Sequence, residues 1–326
     1  MGNLLRDDCA VCAKIWFRRL MSTLPTNFQI MRQFLLLIAI VWVSMGGCKQ
    51  PPANEPFSFR PDTTKVYHIV KTRVIREDNN YNNKITRDSS YTAMAFSLRV
   101  KRIEDSMCYL RLTFGDFEMS RLHVDTRLPA PTVKQIQDDR MKWWDYLLHY
   151  VKGQSVNVWV DNHGAVKNVT GVDKVMDYLA KTTGEDRRTI NYTLHDFIHA
   201  DDIKDELNSL FAFIPGRIKL AGQSWVSDVE QVSRAPFKQS NVYVLERMNS
   251  DTAVLSVSSI LSARQGEQGR VYMKGKLEGN ILADYTTGIP YSYYATGESA
   301  ITTDYYVINR KITESATVTM RPAGSH

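Results

Sequence analysis

His195 and His199 stand four residues apart. On one continuous helix they would share a face, as zinc-binding helices present two imidazoles. The glutamate that acts as general base in such helices is missing, and Asp196, one methylene shorter, follows His195 instead. Leu194, Phe197 and Ile198 give the competing reading: an apolar stripe on a core with histidines at its flank. Two carboxylate pairs, Asp138/Asp139 and Asp201/Asp202, could serve glycoside hydrolysis if they faced each other across a cleft. Both pairs also suit helix starts, where acidic side chains offset the helix dipole. Cys9 and Cys12 form a Cys-x-x-Cys spacing without a second pair or a βαβ context. No nucleophile elbow, phosphate-binding loop or dinucleotide fingerprint is present. These residues assign no catalytic group and no cofactor, and leave His195 and His199 as a weak metal candidate.

Cys48 has a clearer chemistry. Arg32 precedes ten apolar residues, Phe34 to Val43, and Ser44-Met45-Gly46-Gly47 lead to the cysteine. A basic start, a short apolar core and a small-residue segment are the parts of a secretory signal. The apolar run is shorter than the ~20 residues needed to span a bilayer. A cysteine after two glycines looks like a lipobox, in which the thiol takes the lipid; Met45 stands where leucine is usual. On this reading residues 1–30 are an upstream extension, 31–47 the signal and Cys48 the lipidated first residue of the mature chain. Residues 48–64 form a tether, kept extended by Pro51, Pro52, Pro56 and Pro61. The protein is then expected on the periplasmic side of a bacterial outer membrane. Its net charge falls from +6 to about +3 without residues 1–47, too little for nucleic acid.

The elements that must position any site begin near Lys65. Residues 90–101 alternate, with Met94, Phe96, Leu98 and Val100 on one face. Cys108, Leu110, Leu112 and Phe114 continue the pattern, and Cys108 reads as a small buried hydrophobe. Period-two alternation between turns predicts half-buried antiparallel strands. Further strands are expected at 66–76, 155–161, 165–171, 224–232, 240–248, 252–261, 270–284, 292–302 and 305–320, with helical segments near 138–152 and 172–213. The fold class is mainly β with a helical insertion (α+β): a long curved antiparallel sheet or sheets, in one piece or in two related β halves, with helices capping or packed on them over 65–321. Gly153-Gln154-Ser155 and Gly222-Gln223-Ser224 open corresponding strands, which duplication and chance explain equally well. Trp143, Trp144 and Trp159 are candidate ligand contacts at the mouth of an apolar interior, or plain core between sheet and helix.

The run VDNHGAVKNVTGVDKVMDYL, with Gly164 and Gly171, resembles a family of Bacteroidota lipoproteins of unknown function. Pro215 followed by Gly222-x-x-Trp225, and the Thr287-Gly288 turn, extend the resemblance over roughly residues 65–320. It implies a lipobox-anchored β-rich protein and carries no catalytic residues. Fainter is a similarity to periplasmic half-barrel carriers of lipids and lipoproteins. Together these readings imply a noncatalytic envelope lipoprotein, attached through its N-terminal lipid, binding an apolar or amphipathic ligand or a partner protein. The alternatives are an envelope glycan or polymer hydrolase and a structural component of an outer-membrane complex.

Overall fold

Alternation of apolar and polar side chains decides the architecture. A computed structural model describes residues 57–323 except 82–83, 125–128, 139–141, 218–219, 232–236, 250, 264–271 and 304–305. Lys84, Lys142, Trp143, His195, Asp196 and Gln231 are described for their backbone alone. Cys9, Cys12, Cys48, the signal-like segment and Asp139 lie outside the described residues.

The first meander comprises β1 (Lys65–Tyr81), β2 (Lys84–Glu104), β3 (Met107–Val124), β4 (Ser155–Asp161) and β5 (Val166–Thr170). The second comprises β6 (Ser224–Gln231), β7 (Phe237–Asn249), β8 (Thr252–Ala263), β9 (Tyr272–Asp284), β10 (Pro290–Thr302) and β11 (Tyr306–Pro322). Each neighbouring pair is antiparallel, and β1 pairs with β11 along its whole length, from Lys65 opposite Pro322 to Tyr81 opposite Tyr306. The two meanders are therefore one curved sheet of eleven strands, ordered β5-β4-β3-β2-β1-β11-β10-β9-β8-β7-β6. The first and last strands lie side by side inside it, and β5 and β6 are its edges.

The inner face carries the core. Tyr67 and Ile69 of β1, Phe96 and Leu98 of β2, Leu110 and Leu112 of β3, and Val156 and Val158 of β4 are all buried. A bulge at Gly115-Asp116 re-phases β3: Phe96 lies opposite Phe114, whereas Met94 lies opposite Phe117. An extra residue restores both phenylalanines to one face, with ring centroids 5.9 Å apart.

Five helices occur among the described residues: α1 (Val133–Asp138), α2 (Lys142–Val151), α3 (Val172–Thr183), α4 (Arg187–Ile198) and α5 (Ala200–Phe211). Leu147, Leu148 and Val151 of α2 are buried, and the helix packs on β3. Gly184 ends α3 in the left-handed region at φ 76°, its N–H donating to Ala180 O. Asp186 caps α4, accepting from Thr189 N–H at 3.0 Å. A helical turn does not continue through His199, whose φ −64° and ψ 149° are extended, so it ends α4 and caps α5. Helix α1 packs on β2 and β3. By strand alternation it meets the outer face, where Ser120 Oγ donates to Gln137 O at 3.4 Å.

The Gly-Gln-Ser segments build one corner twice. Gly153 N–H donates to Phe114 O at 2.8 Å and Phe114 N–H returns to Gln154 O at 2.9 Å. Gly222 N–H donates to Leu245 O at 2.7 Å and Leu245 N–H returns to Gln223 O at 3.0 Å. Both glycines hold φ near +84° (84° and 83°), which a side chain would strain. The turns after β4 and β9 also match. Asp161 Oδ1 accepts from His163 and Ala165 N–H, and Asp284 Oδ1 from Thr286 and Thr287 N–H. Both turns grip the incoming chain: Phe59 N–H donates to Asn162 O at 2.8 Å and Arg60 N–H to Thr287 O at 2.9 Å. Phe57 and Phe59 are buried at 0% and 3% exposure, so the folded region begins before Lys65. These two rings fill the end of the core although they lie within 48–64, the span expected to be a tether.

Candidate functional site

Helix α5 occupies the inner face of the sheet. Its buried residues, Asp202, Ile203, Asp205, Leu207, Asn208, Leu210 and Phe211, run nearly around the helix. A surface helix buries one stripe; burial on several sides means the helix lies within the core. On one side Asn208 Oδ1 accepts from Val166 N–H of the edge strand β5 at 2.8 Å. On another side Glu206 reaches the middle of the sheet.

There it meets two cations. Lys71 and Arg73 follow Tyr67 and Ile69 along the inner face of β1. The Lys71 side chain is 1% exposed, and its Nζ donates to Glu206 and, at 2.8 Å, to Ser209 Oγ. Arg73 Nη2 lies 3.0 Å from Glu206 Oε1, and its Nε donates to Glu314 of β11. Burial alone would raise the Glu206 pKa, but Arg73 and Lys71 overcome it and bring it to about 2. Glu314 is likewise buried and likewise held below the usual carboxylate range, chiefly by Arg73. Burial opposes the charge of Arg73, yet the two glutamates hold its pKa above the ordinary value. The result is a balanced four-charge cluster on the floor of an otherwise apolar trough, with one member carried by the helix.

The trough is filled in this conformation. Met94, Phe96, Phe114, Phe197, Leu207 and Glu206 are among the residues around a cavity of about 20 Å³, less than a ligand needs. A larger cleft, about 550 Å³, lies between Val166 and Lys167 of β5, Lys204 of α5 and Asp228 and Glu230 of β6. The sheet thus curls far enough for its two edge strands to flank one cleft. Trp225 stands beside it, its indole N–H donating to Phe213 O at 2.9 Å and its ring stacked on Tyr243 at 5.7 Å.

The tryptophans singled out above do not converge. Trp144 of α2 packs edge-on against Phe197 of α4, with centroids 5.2 Å apart. Trp159 of β4 sits on the outer face, edge-on to Tyr109 at 6.1 Å. Strand alternation forces this: Val158 and Val160 point inward, so Trp159 points out. Trp143 lies in α2, its side chain outside the described ones. The histidine pair loses its shared helical face, because α4 stops at Ile198. His199 lies 4.0 Å from Asp201, and no group of three or more metal-ligating side chains gathers among the described residues. Asp201 is about half exposed whereas Asp202 is buried, so this carboxylate pair does not open onto one surface. Asp138 ends α1 rather than starting a helix. Cys108 is buried, and burial pushes its thiol up to about 12, which leaves it inert. No helix of the described residues is long and apolar enough to cross a membrane.

Lysines and arginines on an apolar strand face were the signal of this site. Read at period two, Val66-Tyr67-His68-Ile69-Val70-Lys71-Thr72-Arg73 places two cations after two core residues. Their partners, Glu206 and Glu314, lie too far along the sequence to be paired by inspection.

Among solved structures the sheet is similar to that of lipovitellin, a protein with lipid–protein interactions. The match has 8% identity and a TM-score of 0.51, and covers 81% of this chain. The chain spans about a quarter (26%) of lipovitellin's length, and at this identity the likeness is one of fold. The Ail attachment invasion locus protein of Yersinia pestis aligns over 78% of this chain and 98% of its own, at 4% identity. Its TM-score of 0.16 carries no structural conclusion. No curated protein matches the sequence. Residues 105–290, more than half of the chain, match a family described as a family of unknown function (DUF6263), and the chain belongs to that family.

Proposed function

We propose that this protein is a noncatalytic binding protein of the bacterial cell envelope, tethered by lipid on Cys48, whose ligand is an anionic amphiphile. The apolar inner face takes the ligand's chain and Lys71 and Arg73 meet its headgroup. Glu206 stands in for that headgroup when the trough is empty, with α5 lying where the chain would lie. One observation carries this reading: a lysine 1% exposed on the floor of an apolar trough, neutralised by a carboxylate on a helix rather than by its own sheet. A buried charge demands a partner, and a fatty-acid carboxylate supplies the same group as Glu206 with an apolar tail attached. The likeness in fold to lipovitellin, a protein with lipid–protein interactions, supports a lipid-like ligand.

The test has two arms. Delipidated protein titrated with oleate should bind it. Lys71→Met should weaken that binding roughly tenfold, the value of one charged hydrogen bond, and Glu206→Gln should strengthen it by freeing the headgroup place. Absence of oleate binding, or equal binding by Lys71→Met, would refute the trough as the site. Separately, Cys48→Ser should release the protein from membranes; retention of that variant would refute the anchor while leaving the trough standing.

A further inference from the structure

On the outer face of the sheet, away from the trough, lies a cleft of about 460 Å³ at the end of β1, β2, β9, β10 and β11. Its charged lining is Arg76, Asp78, Arg87, Arg310, Lys311, Glu298 and Lys274. Register explains the grouping. Arg76 lies directly opposite Lys311, Lys311 opposite Glu298, and Asp78 opposite Arg87, so these side chains project from one face in adjacent rows. Both carboxylates are engaged: Arg87 Nε donates to Asp78 at 2.8 Å, and Lys311 lies 3.2 Å from Glu298. Arg310 is paired with Glu77. Arg76 and Lys274 form no ion pair among the described residues.

Arg76 is the informative member. Of the five donors on its guanidinium, one makes a long bond, Nη2 to Pro131 O at 3.4 Å. Its Nε is shielded from solvent and has no hydrogen-bond partner among the described residues. A cation directly across the strand from another cation destabilises the pair, and a buried donor without an acceptor is costly. An oxyanion in the cleft relieves both. The volume lies within the range of small-molecule sites. A guanidinium beside two ammonium groups suits a phosphate, which accepts several charge-assisted hydrogen bonds at once. We infer that this cleft is a phosphate-binding site anchored by Arg76, with Lys274 as its second cation, taking the phosphate of a small molecule or of a lipid headgroup. The inference does not rest on the trough reading.

Calorimetric titration of the full-length protein with inorganic phosphate tests it, followed by dihexanoyl phosphatidylglycerol below its micellar concentration. Phosphate should bind with strong dependence on added salt. Arg76→Gln should weaken it roughly tenfold or more, as loss of a charge-assisted contact does. Lys274→Gln, at an exposed position, should weaken it less and keeps the test alive if the Arg76 variant fails to fold. Lys71→Met should bind phosphate normally, which separates this site from the trough. Phosphatidylglycerol binding tighter than phosphate, and lost in Arg76→Gln, points to a headgroup; phosphate binding alone points to a free anion, and both support the site. No binding of either probe by the unaltered protein, or equal affinity in both cleft variants, would overturn it.

Discussion

Lys71→Met is the sharpest probe of how α5 is seated. The variant keeps an unbranched side chain, one heavy atom shorter, and removes its charge. It leaves Glu206 with Arg73 alone, and Arg73 is shared with Glu314. Breaking one partnership in a buried ion cluster costs about 3–5 kcal/mol, because the residual charge stays buried without compensation. Glu206→Leu alone should cost a similar amount by stranding Lys71. The double variant Lys71→Met/Glu206→Leu removes one charge of each sign and leaves Arg73 with Glu314 as a balanced pair. Its cost should fall short of the sum of the singles by about 2–3 kcal/mol. Urea unfolding followed by tryptophan fluorescence measures all four corners of the cycle. With a slope of roughly 3 kcal/mol per molar urea, each single variant should lower the midpoint by about 1–1.7 M. Additive single effects, or a Lys71→Met midpoint within error of the unaltered protein, would show that the cluster does not hold the helix.

Three further outcomes follow from the same geometry. The depressed pKa values of Glu206, at about 2, and of Glu314 contribute stability that is complete above their ordinary value of 4.5 and fades as pH falls toward 2. Urea midpoints taken between pH 6 and 3 should drop, and Glu206→Gln should flatten the drop. Phe57→Ala should cost about 3–5 kcal/mol, since the ring is 0% exposed and stacked on Tyr285 with centroids 4.8 Å apart; thermal unfolding measures it. Gly164→Ala should be destabilising by at least ~1–3 kcal/mol, because φ is +77° and a β-carbon would fall 2.3 Å from Phe211 O; a melt unchanged from the parent would contradict the turn geometry.

The strands were legible because their inner faces are apolar over many residues. Leu98 and Val100, or Leu110 and Leu112, announce both the element and its orientation. The hairpin of β1 and β2 runs further than expected, through Asp78-Asn79-Asn80, because polar cross-strand contacts support it where hydrophobic alternation stops. Arg87 bonds Asp78, and Asn79 donates to Asp88 Oδ2. The break at His199 was not legible. Residues 186–213 carry helical periodicity throughout, and the chain turns there to drop α5 into the sheet. The burial of Phe57 and Phe59 was not legible, because prolines flank them and proline content outweighed two aromatic residues. Least legible was the pairing of β1 with β11, since no local pattern distinguishes one sheet from two.

That pairing has a consequence for how the molecule comes into being. Strand β1 takes β11 as one neighbour, so it presents a bare flank of seventeen residues until β11 has been made. Contacts between strands so far apart in sequence form slowly, and an open strand flank invites pairing with the wrong molecule meanwhile. Loss of even the final few residues of β11 would leave the centre of the sheet, rather than its border, incomplete.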